Sequence, residues 1–265
     1  LCVLGLLNSW VWACVAFVCV LVNAFEIAPS YFGKPKKKGN ANLSVLRVVL
    51  ANVLYHNRNH TSFVALVEKE NPHIFIVQEL TESCLAALEP LKRSYPYIIS
   101  KTEEYGGGIA VFSKFPFEDS GIISLGFEYR QSIFVKFLFN KKNVTLFTFH
   151  PQAPLRAFHF DYRNQQLAKA TEIIKRLDTP KIVVGDLNTT IWSPFFKRLL
   201  KETNLANARQ GFGLLPTFPV WKFPVKFLML PIDHCLVSEA ISVKEIRTGG
   251  FLGSDHLPVI VDLEL

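Results

Sequence analysis

Gly253-Ser254-Asp255-His256-Leu257-Pro258-Val259-Ile260-Val261-Asp262-Leu263-Glu264 is the stretch whose reading decides the fold. From Leu257 to Glu264 the Val, Ile and Leu pattern reads as a strand, and an Asp-His pair stands at its mouth. Other polar groups upstream sit the same way, each after an apolar run. Asn52 follows Leu46-Arg47-Val48-Val49-Leu50-Ala51, Glu79 follows Ile74-Phe75-Ile76-Val77-Gln78, and Gly185-Asp186-Leu187-Asn188 follows Lys181-Ile182-Val183-Val184. Carboxylates, amides and an imidazole at successive strand ends can converge on one edge of a sheet, which is how an α/β protein builds a metal-dependent active site.

Outward from these runs the chain alternates. Strands are expected at 43–54, 73–78, 108–113, 118–124, 132–139, 143–149, 181–184, 233–237, 242–247 and 257–264. Helices are expected at 61–70, with Thr61 as a possible cap, and at 81–94, 158–177 and 194–202, where apolar residues recur at helical spacing. Asn140-Lys141-Lys142-Asn143 reads as a hairpin turn. A purely parallel doubly wound fold fits less well, because four consecutive strands lack helical crossovers. The expected fold class is α/β, a two-sheet β-sandwich flanked by helices in four layers and preceded by an N-terminal transmembrane helix.

The chain has 265 residues, of which 49% are hydrophobic, and the excess lies at the front. Leu1 to Phe25 carries no charged residue and exceeds the roughly 20 apolar residues that span a bilayer as helix. A signal peptide is the competing reading, with Val22-Asn23-Ala24 as a weak cleavage site. The length of the apolar stretch and the lack of a basic n-region favour an anchor. The first residue is Leu rather than Met, which leaves room for residues and further helices upstream. The expected organisation is an anchor over 1–25, a basic linker over 26–42, broken by Pro29, Gly33, Pro35 and Gly39, and a folded domain over 43–265.

The net charge of +7 owes much to Lys34, Lys36, Lys37 and Lys38, directly after the apolar segment. This reads first as a solvated linker that favours the cytoplasmic side. Attraction to anionic headgroups and a nucleic-acid arm are the other readings. The remaining charge is scattered and marks no nucleic-acid stripe. Cys84 and Cys235, the only cysteines outside the apolar segment, lack metal-type spacing and read as small buried hydrophobes rather than a disulfide. No protein partner is expected.

Each chemical candidate has a bland counterpart. Glu79 suits Mg²⁺ or Mn²⁺, because hard cations take oxygen ligands and Mg²⁺ keeps most of its waters; a lone strand-end Glu is otherwise just solvated. Asn52 beside it would orient metal or phosphate, or merely shape a turn. Asp186 and Asn188 are two apart and point the same way on an extended segment. One can align or deprotonate a water while the other hydrogen-bonds a phosphate oxygen; a Gly-Asp turn is the alternative. Asn188-Thr189-Thr190 also matches a glycosylation sequon, which would block that site.

Taken in order, Asn52, Gln78-Glu79, Gly108-Ile109-Ala110-Val111-Phe112-Ser113-Lys114, His150, Gly185-Asp186-Leu187-Asn188, Ile232-Asp233-His234 and Ser254-Asp255-His256 give residues 43–265 a clear kinship. The chain resembles the endonuclease/exonuclease/phosphatase superfamily, which includes pancreatic-type deoxyribonucleases, abasic-site endonucleases, neutral sphingomyelinases and inositol polyphosphate 5-phosphatases. Its anchor and basic linker look like those of membrane-anchored bacterial members. The resemblance implies a metal-dependent phosphoester hydrolase, with Asp255 on the metal or its water, His256 on the phosphate, and His150 contacting the phosphate or protonating the leaving oxygen. Asp233 would then hydrogen-bond His256, fixing its tautomer and charge. Leu54 stands where abasic-site endonucleases carry a second Asp, so one principal metal is expected.

Substrates within reach of an anchored site are lipid headgroups, with nucleic acid as the other phosphodiester class. A catalytically silent, membrane-tethered phospholigand-binding module is the alternative, and loss of a key side chain would be its mark. Gly106-Gly107-Gly108 lacks a phosphate-loop ending and reads as a turn. His56, His60, His73, His159 and His234 show no metal-ligand spacing. The aromatic segment Phe218 to Leu230, with Trp221, Phe223, Phe227 and Met229, reads as packed loop, or else as an interfacial loop dipping into headgroups.

Overall fold

The structure is a computed structural model describing residues 9–32, 44–126, 130–178, 180–220 and 228–265. Two six-stranded sheets face each other. The first holds β1 (Val45–Asn52), β2 (Ile74–Gln78), β3 (Tyr97–Lys101), β4 (Ile109–Ser113), β11 (Ser242–Thr248) and β12 (Val259–Glu264), in the order β11-β12-β1-β2-β4-β3. The second holds β5 (Phe117–Ser124), β6 (Gln131–Phe139), β7 (Lys142–Phe149), β8 (Lys181–Asp186), β9 (Ala206–Asn207) and β10 (Asp233–Val237), in the order β5-β6-β7-β8-β10-β9. The pairs β1–β2 and β7–β8 are parallel and their other neighbours antiparallel.

Strand alternation explains the layers. On β1, Leu46, Val48 and Leu50 point inward and join Ile76, Val111, Val135, Leu146 and Val184 between the sheets. Val49 and Ala51 point outward and pack with Phe63 and Val67 of α2 (Thr61–Glu70) and Cys84 of α3 (Glu82–Ala87). On the far side, Phe147 and Val183 meet Leu167 and Ile174 of α4 (Ala157–Arg176) and Phe196 and Leu199 of α5 (Pro194–Thr203). Helix, sheet, sheet, helix is the expected four-layer order. Central strands buried on both faces read as near-continuous apolar runs. Burial pushes the Cys84 and Cys235 thiols up to about 12, and both are free.

Three local expectations need correction. The helix expected over 81–94 ends at Ala87, and a 3₁₀ turn, Glu89–Leu91, follows because Pro90 has no N–H to continue the ladder. The edge strand β3 was not anticipated; its half-exposed residues carry no clear period. The N-terminal helix α1 spans Trp10–Phe32, so it passes Pro29 and includes the first residues assigned to the linker. Its final carbonyls lack intrahelical donors, and the domain supplies them: the Gly211 and Gly213 amides donate to the Ser30 carbonyl at 2.9 and 2.7 Å. Glu26 also pairs with Lys197 at 2.5 Å. Residues 33–42 of the linker, with its lysines, lie outside the described residues, as do 221–227 of the aromatic segment.

Candidate active site

Parallel strands offer their C-terminal ends to one edge of the sandwich and antiparallel strands their N-terminal ends. Asn52 closes β1, Glu79 follows β2, His150 follows β7 and Asp186 closes β8, while Asp233 opens β10 and Asp255-His256 precede β12. The two sheets are locked here by Gln78, fully buried at 0% exposure. Its Nε2 donates to the Phe149 carbonyl at 3.0 Å and its Oε1 accepts from the Asp186 amide at 2.8 Å. Gly185 allows this approach, since a Cβ there would lie 2.2 Å from the Phe149 carbonyl oxygen.

Asp186 Oδ2 is the hub. Asn52 Nδ2 lies 3.3 Å from it, His150 Nε2 3.3 Å and His256 Nε2 3.6 Å. Its Oδ1 accepts from the Asn188 amide at 2.8 Å, a turn in which Asn188 takes a left-handed φ of 48°. Burial disfavours the Asp186 charge, but His256 first and then His150 hold its carboxyl well below the usual carboxylate range. His256 Nδ1 lies 2.8 Å from Asp233 Oδ2. Burial alone would lower the His256 pKa; Asp233, followed by Asp186, outweighs it and raises the imidazole to about 10. The ring of Phe218 packs over it with centroids 4.7 Å apart.

Glu79 sits beside the hub in a left-handed backbone conformation, φ 62°. Its carboxylate accepts from Asn52 Nδ2 and from the Tyr55 amide, each at 3.0 Å. Leu54, also left-handed at φ 61°, bonds Asn52 Oδ1 through its amide at 3.1 Å, so this loop adds no second carboxylate. The Asp255 carboxyl is raised by burial first; Glu79 and Asp186 add to the rise and His256 opposes it. The expected site residues therefore meet at one edge. Asn188 alone turns its side chain to the loop, with Nδ2 donating to the Pro151 carbonyl at 3.0 Å. Its second amide hydrogen has no such commitment.

The sequence reading missed two arginines. Arg130, buried, places Nη1 3.3 Å from His150 Nδ1 and 3.2 Å from the Gly106 carbonyl. A guanidinium only donates, so Nδ1 accepts and the proton of a neutral His150 sits on Nε2, facing Asp186. The signal was the β6–β7 hairpin, whose Ser132–Phe149 pairing brings the residues just outside it together. Arg209 lies behind Asp233, donating to its carbonyl at 2.7 Å and to His234 Nδ1 at 2.9 Å. His234 passes the contact on to the Thr189 carbonyl at 2.7 Å. Burial first, then Arg209, lowers the His234 pKa to about 3, so this imidazole is neutral and structural. The triple glycine is a turn: a Cβ at Gly108 would strike the Leu80 carbonyl oxygen at 1.9 Å.

The donor chemistry suits a divalent cation. Asp186, Asp233 and His256 offer ligand atoms that lie within 4.8 Å of one another. The His256 nitrogen is engaged with Asp233, whereas Glu79 and Asp255 present hard oxygens whose mutual repulsion a cation would relieve.

This layered scaffold with a carboxylate-histidine edge defines a phosphoester-hydrolase class. The sequence pattern of the Endonuclease/Exonuclease/phosphatase family matches residues 49–256, and the chain belongs to that family, whose members typically use a divalent metal. Similar solved structures include TDP2 from D. rerio, crystallised with a single-strand DNA product, at 15% identity and TM-score 0.71 over 84% of this chain and 100% of that one. A family protein from Bacteroides vulgatus shares 18% identity at TM-score 0.69, over 84% and 99% of the two chains. Another from Bacteroides thetaiotaomicron shares 20% at TM-score 0.67, over 84% and 99%. Among the curated proteins, none matches the chain.

Proposed function

We propose that this chain is a membrane-anchored phosphodiesterase that works with Mg²⁺ or Mn²⁺ held mainly by Glu79 and Asp255, with Asn52 beside them. The observation that carries it is the ring of donors around Asp186 Oδ2: Asn52 Nδ2, His150 Nε2 and His256 Nε2, all within 3.6 Å. Such a ring can hold the non-bridging oxygens of a phosphate next to a general base. When bound, the cation supplies neutralisation of phosphate and leaving-group charge.

The protein's own groups account for the rest. Asp186 orients a water in line with the scissile P–O bond and accepts its proton as the new P–O bond forms. His256, kept cationic by Asp233, donates from Nε2 to a non-bridging oxygen, where charge grows in the transition state. His150, presented by Arg130 with Nε2 towards Asp186, and Asn188 add further donors. The departing oxygen takes its proton from the imidazolium or from solvent.

Anchoring is supported by α1. Its 23 residues are long and apolar enough to cross a bilayer, about 34 Å at 1.5 Å per residue. Its last turns dock on the domain through Glu26 and the Ser30 carbonyl. The lysines after α1 favour the cytoplasmic side. Lipid headgroups and nucleic acid are the two phosphodiester classes within reach, the second suggested by the DNA product held by D. rerio TDP2. The test is turnover of a panel of phosphodiesters and monoesters by the purified full chain with and without Mg²⁺. Metal-dependent turnover that Asp186→Ala abolishes is expected; full activity in that variant would end the proposal.

A further inference from the structure

Among the cavities outside the chemistry above, one bears on the choice of substrate. It encloses about 660 Å³ between the last turn of α1 and the loops beside His256, a volume in the range of sites for small organic ligands. Tyr31, Leu215, Pro219, Met229, Phe251 and Leu257 line it, and none of its described lining residues is charged. A nucleic-acid backbone needs Lys or Arg, and a free phosphate needs donors. A hydrocarbon chain needs neither.

The cavity adjoins the catalytic edge through one layer of backbone. The Leu257 amide donates to the Thr217 carbonyl at 2.9 Å and the Val220 amide to the Asp255 carbonyl at 2.8 Å, which pairs 217–220 with 255–257. His256 faces Asp186 and Phe218, while its neighbour Leu257 faces the cavity. On the other side the wall is Tyr31, one residue beyond the Ser30 carbonyl that Gly211 and Gly213 hold. The anchor thus leaves the bilayer at the rim. Phe251 and Leu228, at 59% and 51% exposure, extend an apolar surface there, as expected where a protein meets lipid.

We propose that this cavity binds the hydrocarbon chain of an amphiphilic phosphoester whose phosphate lies at Asp186 and His256. This deepens the phosphodiesterase reading and rests on it for the position of the phosphate. It selects lipid over nucleic acid as the substrate class, and assigns Phe251, Gly250 and their neighbours to chain recognition.

The experiment uses the full chain in a lipid-free amphipathic polymer with Mg²⁺. Ethyl and dodecyl 4-nitrophenyl phosphate share one reacting centre, so their kcat/KM ratio reads the chain alone. A preference of at least about tenfold for the dodecyl ester is expected, because a methylene in an apolar pocket is worth tenfold or more. Gly250→Trp fills the cavity from a position where a Cβ meets nothing within 4 Å, and Phe251→Glu charges an exposed rim position. Each should collapse the ratio at least about tenfold. Calorimetry with dodecylphosphonate and ethylphosphonate reads the cavity without turnover. Tighter binding of the dodecyl compound, lost in both variants, upholds the cavity even if neither ester is hydrolysed, in which case the hydrolase reading alone fails. Equal binding of the two phosphonates, or preferential turnover of single-stranded DNA with no effect of chain length, overturns it.

Discussion

Asp233 Oδ2 and His256 Nδ1 are 2.8 Å apart in a buried contact, and this pair sets the charge of the site. The carboxylate orients the imidazole so that Nε2 points at Asp186. It also stabilises the imidazolium, raising its pKa to about 10 against the lowering effect of burial. Among the described residues Asp233 Oδ1 has no hydrogen-bond partner.

Asp233→Asn removes the charge and keeps the shape. The His256 pKa should fall, visible in the imidazole titration by NMR, and kcat should drop about 100-fold or more, the scale of losing one preorganised charge-stabilising donor. The pair also has a stability signature. The folded pKa lies above the unfolded value of about 6.5, so folding takes up a proton between about pH 6.5 and 10. The contribution is full below pH 6.5 and disappears as pH rises towards 10. Urea denaturation should show stability declining across that window in the native chain, and a flatter profile in D233N.

Glu79 is the residue to change for the cation. It keeps its place through the Asn52 side chain and the Tyr55 amide, so Glu79→Gln should fold normally. The Mg²⁺ concentration for half-maximal activity should rise at least about tenfold, since mutating even outer-shell partners of a metal costs 10- to 100-fold. Saturating Mg²⁺ should raise the thermal midpoint of the native chain by mass action and leave E79Q nearly unmoved. An equal upward shift in both would remove Glu79 from the metal site.

The strand-end residues were legible because their chemistry follows apolar runs, and order along the chain survives folding. Asn52, Glu79, Asp186, Asp233 and His256 all lie at the edge their positions implied. What could not be read depends on contacts between distant segments. Gln78 looks like one more strand residue until its amide is seen spanning both sheets. Arg130 gains meaning only from hairpin register, and Arg209 only from burial behind Asp233. The extension of α1 past Pro29 was illegible for the same reason: local chemistry argues for a break, and the Gly211 and Gly213 amides overrule it.

Gln78→Leu tests the clamp between sheets. The substitution leaves the Asp186 amide and Phe149 carbonyl buried without their partner, and each such group costs about 1–3 kcal/mol. A loss of about 2–6 kcal/mol is expected in urea denaturation on that basis. Activity should fall as well, even at temperatures where the variant is folded, because the Asp186 backbone loses its fixed position relative to Asn52. Activity equal to that of the native chain would show that the two sheets keep the site aligned without the amide.

The docking of α1 can be separated from its ion pair. Lys197 and Glu26 are each well exposed, and surface pairs contribute about 0–1 kcal/mol, so Lys197→Ala should change little. The backbone bonds to the Ser30 carbonyl carry the contact, and hydrogen exchange reads them directly. In the full chain the Gly211 and Gly213 amides should be protected. In a chain beginning at residue 43 they should exchange at the rate of open loops, while Asp186 and Cys235, in the paired strands β8 and β10, stay protected. Protection of Gly211 and Gly213 that survives the truncation would mean that the anchor does not dock there, and would remove its support for a cavity lying at the membrane.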